Sequence, residues 1–242
     1  MCSSDLVLLT TVLLAIAMGV LSCTIYQNYV LHYDLEAWEV GTELFSLLYP
    51  LFVVVPLCWN LYYERKNNFL LYVMPRVKIK KYLTAKWIAY ALGTLCIIVI
   101  PYILSAVFAL YVKPPVVPFV ENPFSHIFEN AFIKTPLLYA VALSLWRGTV
   151  SLFVMTFGFI LALYCKNIFV ILTGPFMYSI LENLVLAILC LERLRLVVAF
   201  DPTTVNPEVV SIFSFFFGPI VLSIVIGLTA FLLSKKNAVV TI

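Results

Sequence analysis

Charge is what this chain has least of: 11% of its 242 residues are Asp, Glu, Lys or Arg, while 64% are hydrophobic. A soluble domain is about a quarter charged, because a solvated surface has to be built from polar groups. The deficit excludes an ordinary water-soluble globule. Histidine is rarer still, with only His32 and His126, so there is no zinc signature. Cys2, Cys23, Cys58, Cys96, Cys165 and Cys190 include no CxxC pair and lie mostly in apolar runs, where they read as free thiols. No P-loop, H-E-x-x-H, G-x-S-x-G or dinucleotide fingerprint occurs. An intramembrane protease would need a Ser–His pair, two aspartates or zinc ligands inside its spans. Both histidines fall in or near outer loops, and no aspartate falls in a span. No catalytic, cofactor-binding or metal-binding residue is therefore assigned, and no enzyme is expected.

Most of the chain is long apolar sequence. Six runs stand out, at about 6–26, 44–62, 87–112, 137–163, 168–191 and 209–233. Each is long enough at ~1.5 Å per residue to cross a hydrocarbon core of roughly 30 Å. The runs are continuous and do not alternate, which favours helices over a barrel. Prolines inside them are tolerable where neighbouring helices satisfy the freed carbonyls. The expectation is an all-α integral membrane protein, a six-helix bundle forming one transmembrane domain over 1–242. The first run resembles a signal peptide, and Val20–Cys23 faintly resembles a lipoprotein cleavage box, but the run is long and no Lys or Arg precedes it. It reads as a retained span. The aromatics, 15% of the chain, read as lipid-facing and interfacial residues.

Basic residues set the orientation. Arg65, Lys66, Arg76, Lys78, Lys80, Lys81, Lys86, Lys166, Lys235 and Lys236 share one side, against Lys113, Lys134, Arg193 and Arg195 on the other. Both termini and the 63–86 loop are therefore expected in the cytoplasm. The opposite loops carry Asp34, Glu36, Glu39, Glu43, Glu121, Glu129, Glu192, Asp201 and Glu208. This asymmetry accounts for the net charge of +3 without nucleic acid.

Within the 63–86 loop, Asn67 or Asn68 is placed to cap a short helix over Phe69–Met74 that Pro75 stops. An apolar helix flanked by charge lies flat on a membrane or docks in another protein's groove. Composition alone favours the lipid-gripping loop. The order Tyr63-Glu64-Arg65, short loop helix, Pro75-Arg76, then Tyr82-Leu83-x-x-Lys86 resembles the permease subunits of type-2 ATP-binding-cassette exporters. So do Pro136-Leu137-Leu138-Tyr139, the Lys166-Asn167 turn and Pro175. The similarity is one of pattern and spacing over nearly the whole chain, with an asparagine where a loop glycine is common. It implies that Asn67 to Met74 is the coupling helix, bracketed by Glu64 and Lys86. Its contact residues would be Glu64, Asn67, Asn68, Phe69, Leu70, Val73, Arg76 and Lys86. It further implies a separate ATPase subunit, a second copy or a related permease, surrounding lipid, and a place in the cell membrane, that of a bacterium. A secondary transporter or channel, or a non-transporting scaffold or sensor, is the alternative.

Arg147 lies inside the fourth run and Glu182 with Asn183 inside the fifth. A charge at mid-bilayer costs ~2.5–3.5 kcal/mol on insertion scales, so each needs a partner. Arg147 and Glu182 fall at similar depths on antiparallel neighbours and are expected to pair. Otherwise Trp146–Arg147 marks the outer boundary and 137–146 is a surface or re-entrant helix. The longest outer loop, 111–136, is expected to be extended around its prolines and to carry a short helix at Ser125–Phe132.

Overall fold

The computed structural model describes residues 3–29, 31–73, 75–116, 126–205 and 210–236, and among them it is all-α, with no strand. Six helices are long and apolar enough to cross a membrane: α1 (Ser3–Thr24), α2 (Glu36–Lys66), α4 (Ile79–Val107), α6 (Pro136–Tyr164), α7 (Ile168–Ile188) and α9 (Ile212–Lys236). Three short helices join them: α3 (Phe69–Val73), α5 (Glu129–Lys134) and α8 (Leu196–Phe200). The chain is thus a multi-pass membrane protein with a six-helix bundle. α3 lies on the basic face of the bundle, and the opposite face is the acidic one.

The long helices outrun their apolar sequence. α2 has 31 residues, about 46 Å, close to the ~40–45 Å of a whole bilayer with its headgroups. Backbone hydrogen bonding continues into the headgroup zone, where charge is tolerated, so hydropathy marks only the middle of each helix. At the start of α2 the Glu36 carboxylate reaches back to accept from the backbone N–H of His32 (2.6 Å) and Tyr33 (3.2 Å). At the start of α7, Asn167 accepts from Phe169 N–H at 2.9 Å, an ordinary N-cap. Pro50, Pro56, Pro101, Pro175 and Pro219 all lie inside helices and all are buried. Each breaks the backbone ladder where protein, not lipid, surrounds it.

α2 and α6 are the centre. Trp38, Tyr49, Val53, Leu57 and Leu61 form one buried stripe of α2, against Ile97, Ile98 and Tyr102 of α4 and Val150, Val154 and Met155 of α6. The outside is apolar too, with Leu8, Phe169 and Ile212 all strongly exposed, as a lipid solvent permits. Two close approaches need glycine. A Cβ on Gly41 would stand 2.7 Å from the Ser22 backbone, where α1 meets α2. One on Gly218 of α9 would stand 2.8 Å from Leu196 Cα, where α9 meets α8.

Two local expectations change. The stretch between α7 and α9 is not simply an outer loop: all five residues of α8 are buried, folded back among α6, α7 and α9. α6 is one unbroken 29-residue helix, so Trp146–Arg147 is no boundary and 137–146 is no separate surface helix. The short helix of the long outer loop begins at Glu129, after Phe128 at φ 55°, and ends at Lys134. Ser125, like Met74, Cys2, Pro118, Glu121, Pro123 and Glu208, lies outside the described residues.

Gly218→Ala is expected to lower the thermal unfolding temperature of the detergent-solubilised chain, at a cost of about 1–3 kcal/mol, because backbone has to move. Gly227→Ala is the control: its Cβ meets nothing within 4 Å, and the gain in helix propensity should leave stability equal or higher.

Candidate functional site

On the basic face, α2 and α4 are fastened where the loop between them begins and ends. Lys86 Nζ forms an ion pair with the Glu64 carboxylate, and Tyr82 Oη donates to the same carboxylate at 2.9 Å. Arg65 donates to the Cys165 carbonyl, the C-cap of α6. A charged side chain there satisfies one of the carbonyls that a helix end leaves open. Helices α2, α4 and α6 are thereby tied together beneath the loop. The spacing Glu64 to Lys86, read from the sequence as a bracket, is a direct contact.

The loop residues divide into two groups. Asn67 closes α2 as its C-cap and does not start α3. Asn68 takes the left-handed conformation, φ 56°, which favours glycine and which asparagine tolerates better than most residues. This sharp turn launches α3 away from α2. Phe69 and Tyr72 are 46% and 74% exposed, and with half-buried Val73 they occupy one face by their three- and four-residue spacing. Tyr72 is the residue that sequence reasoning missed, although its i+3 spacing from Phe69 was the available signal. Arg76 is exposed, its N–H bonded to the Val73 carbonyl at 3.0 Å. The Leu70 side chain lies outside the described residues.

The second cluster is inside the bundle. Arg147, fully buried, pairs with Asp201, also fully buried, at 2.7 Å. The expected partner, Glu182, is not the one: both its oxygens accept from the Leu196 N–H, at 3.1 and 3.0 Å, at the start of α8. The correction follows from α8. By folding back it carries Asp201 to the depth of Arg147, so an aspartate assigned to an outer loop becomes an intramembrane one. Trp146 Nε1 donates to the Ala199 carbonyl at 2.7 Å, so α8 is held at both ends by α6 and α7. The guanidinium lies 4.4 Å from the Tyr102 ring centroid and 4.8 Å from that of Trp38. Its Nε and Nη1 have no hydrogen-bond partner among the described residues. Ring faces take the place of acceptors, a cation–π arrangement strengthened by desolvation. The rings are fixed in turn: Trp38 Nε1 donates to Tyr102 O at 3.0 Å and Ser105 Oγ at 3.1 Å, and Phe200 stacks on Tyr49 at 3.9 Å. Asn183, next to Glu182, has a side-chain oxygen without a partner among the described residues.

Above this cluster His126 closes the acidic face. Its Nε2 lies 2.9 Å from Glu36 and its Nδ1 3.7 Å from Glu39, and its ring stacks on Phe132 at 4.0 Å. Burial by itself lowers the His126 pKa, but the Glu36 hydrogen bond and the charges of Glu39, Glu36 and Glu129 raise it above its ordinary value. Among the described residues, no group of three or more His, Cys, Asp or Glu is placed to hold a metal ion. Compared with known proteins, the chain matches no family model, no curated protein and no solved structure.

Arg147→Met leaves the Asp201 carboxylate buried without its counter-charge, held only by the Thr203 hydroxyl at 2.7 Å and N–H at 3.4 Å, and is expected to cost about 3–5 kcal/mol, as is Asp201→Asn in the opposite sense. The double variant should cost clearly less than the sum, read from unfolding midpoints in detergent; strict additivity would refute the pair. For His126 the protonated form is favoured by folding. Its stabilising contribution is complete below the unfolded value of about 6.5 and is lost as pH rises through the higher folded value. Between about pH 6 and about pH 9 the native chain should lose more thermal stability than His126→Gln, whose curve should be flatter.

Proposed function

We propose that the chain is the membrane-spanning permease subunit of an ATP-binding-cassette exporter in the cell membrane of a bacterium. Its basic face is cytoplasmic, as are both termini. A separate ATPase subunit docks on α3 and hydrolyses the ATP, and a second copy or a related permease completes the translocation path. The observation that supports this reading most is the exposed Phe69–Tyr72 ridge on a five-residue helix, set on a base clamped by Glu64, Tyr82 and Lys86. A helix so short has no stability in isolation and contributes little to the bundle. An aromatic ridge on a rigid base is what a protein groove accepts. When the ATPase pair closes, a push on α3 passes through the clamp to α2 and α4, and through Arg65 to the turn between α6 and α7. Both routes reach the far side, because these helices run the full thickness of the bilayer.

Phe69→Ala, alone and with Tyr72→Ala, should weaken copurification of the ATPase, since truncating an aromatic anchor costs on the order of 2 kcal/mol, about thirtyfold in affinity. Replacing Lys78, Lys80 and Lys81 together by Gln should do less, because rim charges chiefly tune association rate. At matched membrane insertion, retention of the partner by the aromatic variants with loss in the lysine variant would place the loop on lipid instead. ATP hydrolysis by the purified chain alone would overturn the reading outright.

A further inference from the structure

On the acidic face a cleft of about 430 Å³ opens between α2, α7 and α8. Its lining is mixed, and its apolar part is Val40, Leu44 and Leu47 of α2 with Val197 and Val198 of α8. Glu43, Asn183 and Arg195 line the same cleft. Two of their atoms, Asn183 Oδ1 and Arg195 Nε, are buried yet have no hydrogen-bond partner among the described residues. Arg195 Nη2 is held at 3.0 Å by Glu192, whose side chain is 58% exposed and so competes from the rim. Glu43 is exposed and forms no ion pair among the described residues.

The depth of these groups matters. Glu43 follows the first residue of α2 by seven positions, and Asn183 precedes the last residue of α7 by five. At ~1.5 Å per residue that is about 10 Å and about 8 Å below the helix ends. α2, at about 46 Å, puts Glu43 near the level at which headgroup gives way to hydrocarbon, while Asn183, on the 21-residue α7, lies deeper, within the core. The unpartnered Arg195 Nε and Asn183 Oδ1, with the exposed Glu43 carboxylate beside them, call for a polar occupant, while the valines and leucines call for an apolar one. The free groups are one cationic donor and two acceptors, one of them anionic.

We propose that this cleft binds one phospholipid whose headgroup joins a phosphate to a primary ammonium, as in phosphatidylethanolamine. Arg195 Nε donates to the phosphate. The ammonium donates to Asn183 Oδ1 and pairs with Glu43. The first methylenes of the acyl chains lie on the valine and leucine walls. The complementarity is specific. Phosphatidylcholine offers no N–H, so Asn183 Oδ1 stays unpaired, and phosphatidylglycerol offers no cation, so Glu43 stays unpaired. A missing donor for the buried Asn183 oxygen is what disfavours phosphatidylcholine, and a missing cation beside the exposed Glu43 is what disfavours phosphatidylglycerol. The site does not depend on the ATP-driven reading and would serve any membrane protein of this shape.

The test is native mass spectrometry of the purified full-length chain, released from micelles supplied with phosphatidylethanolamine, phosphatidylcholine or phosphatidylglycerol. The native chain should retain one phosphatidylethanolamine about tenfold more tightly than either of the others. Arg195→Gln should weaken all three. Glu43→Gln, at an exposed position that folding does not depend on, should erase the preference for phosphatidylethanolamine over phosphatidylglycerol without weakening phosphatidylglycerol. Glu192→Gln, which removes the competing carboxylate, should tighten all three. Equal retention of the three lipids by the native chain overturns the proposal. So does an unchanged preference in Glu43→Gln, or a chain that leaves the micelle as a dimer with no lipid bound.

Discussion

A guanidinium with no water around it governs the acidic half of this bundle. Arg147 is fully buried at the middle of α6, roughly sixteen ångströms from the helix start, where an unpaired charge is costly. Its requirements account for much of what surrounds it. They call for a carboxylate, and α8 folds back to bring Asp201. They call for polarisable faces, and Trp38 of α2, Tyr102 of α4 and Phe200 of α8 stand around it. Burying an ion pair is seldom a net gain over a well-packed apolar core, yet breaking one is expensive. Such a pair therefore specifies an arrangement more than it stabilises one. Here it specifies that a five-residue helix sits inside the bundle and not on its surface.

The same helices carry both ends of the molecule. α2 holds Trp38 and Glu39 beside the buried cluster at one end and Glu64 and Arg65 in the clamp at the other. α6 holds Arg147 on the acidic side and ends at Cys165, the residue that Arg65 grips. A displacement of the loop face would reach the arginine cluster through two packed rods and not through a diffuse network. Pro50 and Pro56 lie between the two ends of α2, where a kink is easiest to change. The proposed lipid cleft shares α8 with the buried cluster and α2 with the clamp, so its occupant would touch the elements that the arginine orders.

How far the sequence was legible depended on the range of the interaction concerned. The six spans were visible because hydrophobic length is a local property, summed residue by residue. Glu64 and Lys86 were named as a bracket through the family resemblance alone, and their direct contact closes a hairpin between consecutive helices. Asn67 or Asn68 was expected to cap the loop helix; Asn67 instead ends α2, and Asn68, directly before Phe69, takes the left-handed torsion that launches α3. The partner of Arg147 was not legible. Depth counted along α6 and α7 put Glu182 opposite it, and that count could not register a chain segment doubling back from outside. Tyr72 was overlooked as a ridge residue because an isolated tyrosine near a membrane surface has an ordinary interfacial explanation.

The sequence by itself determined that this chain lives in a bilayer, crosses it six times as helices, and keeps its basic residues mostly on one face. Those properties follow from transfer energies and helix rise, which need no knowledge of neighbours. Only the tertiary structure decided which buried charges meet. The sign of a residue says that it needs a partner, whereas the identity of that partner depends on where α8 lies. That placement is set by packing between segments far apart in the chain: by Gly218 admitting Leu196, Trp146 holding Ala199, and Glu182 capping the helix that delivers Asp201.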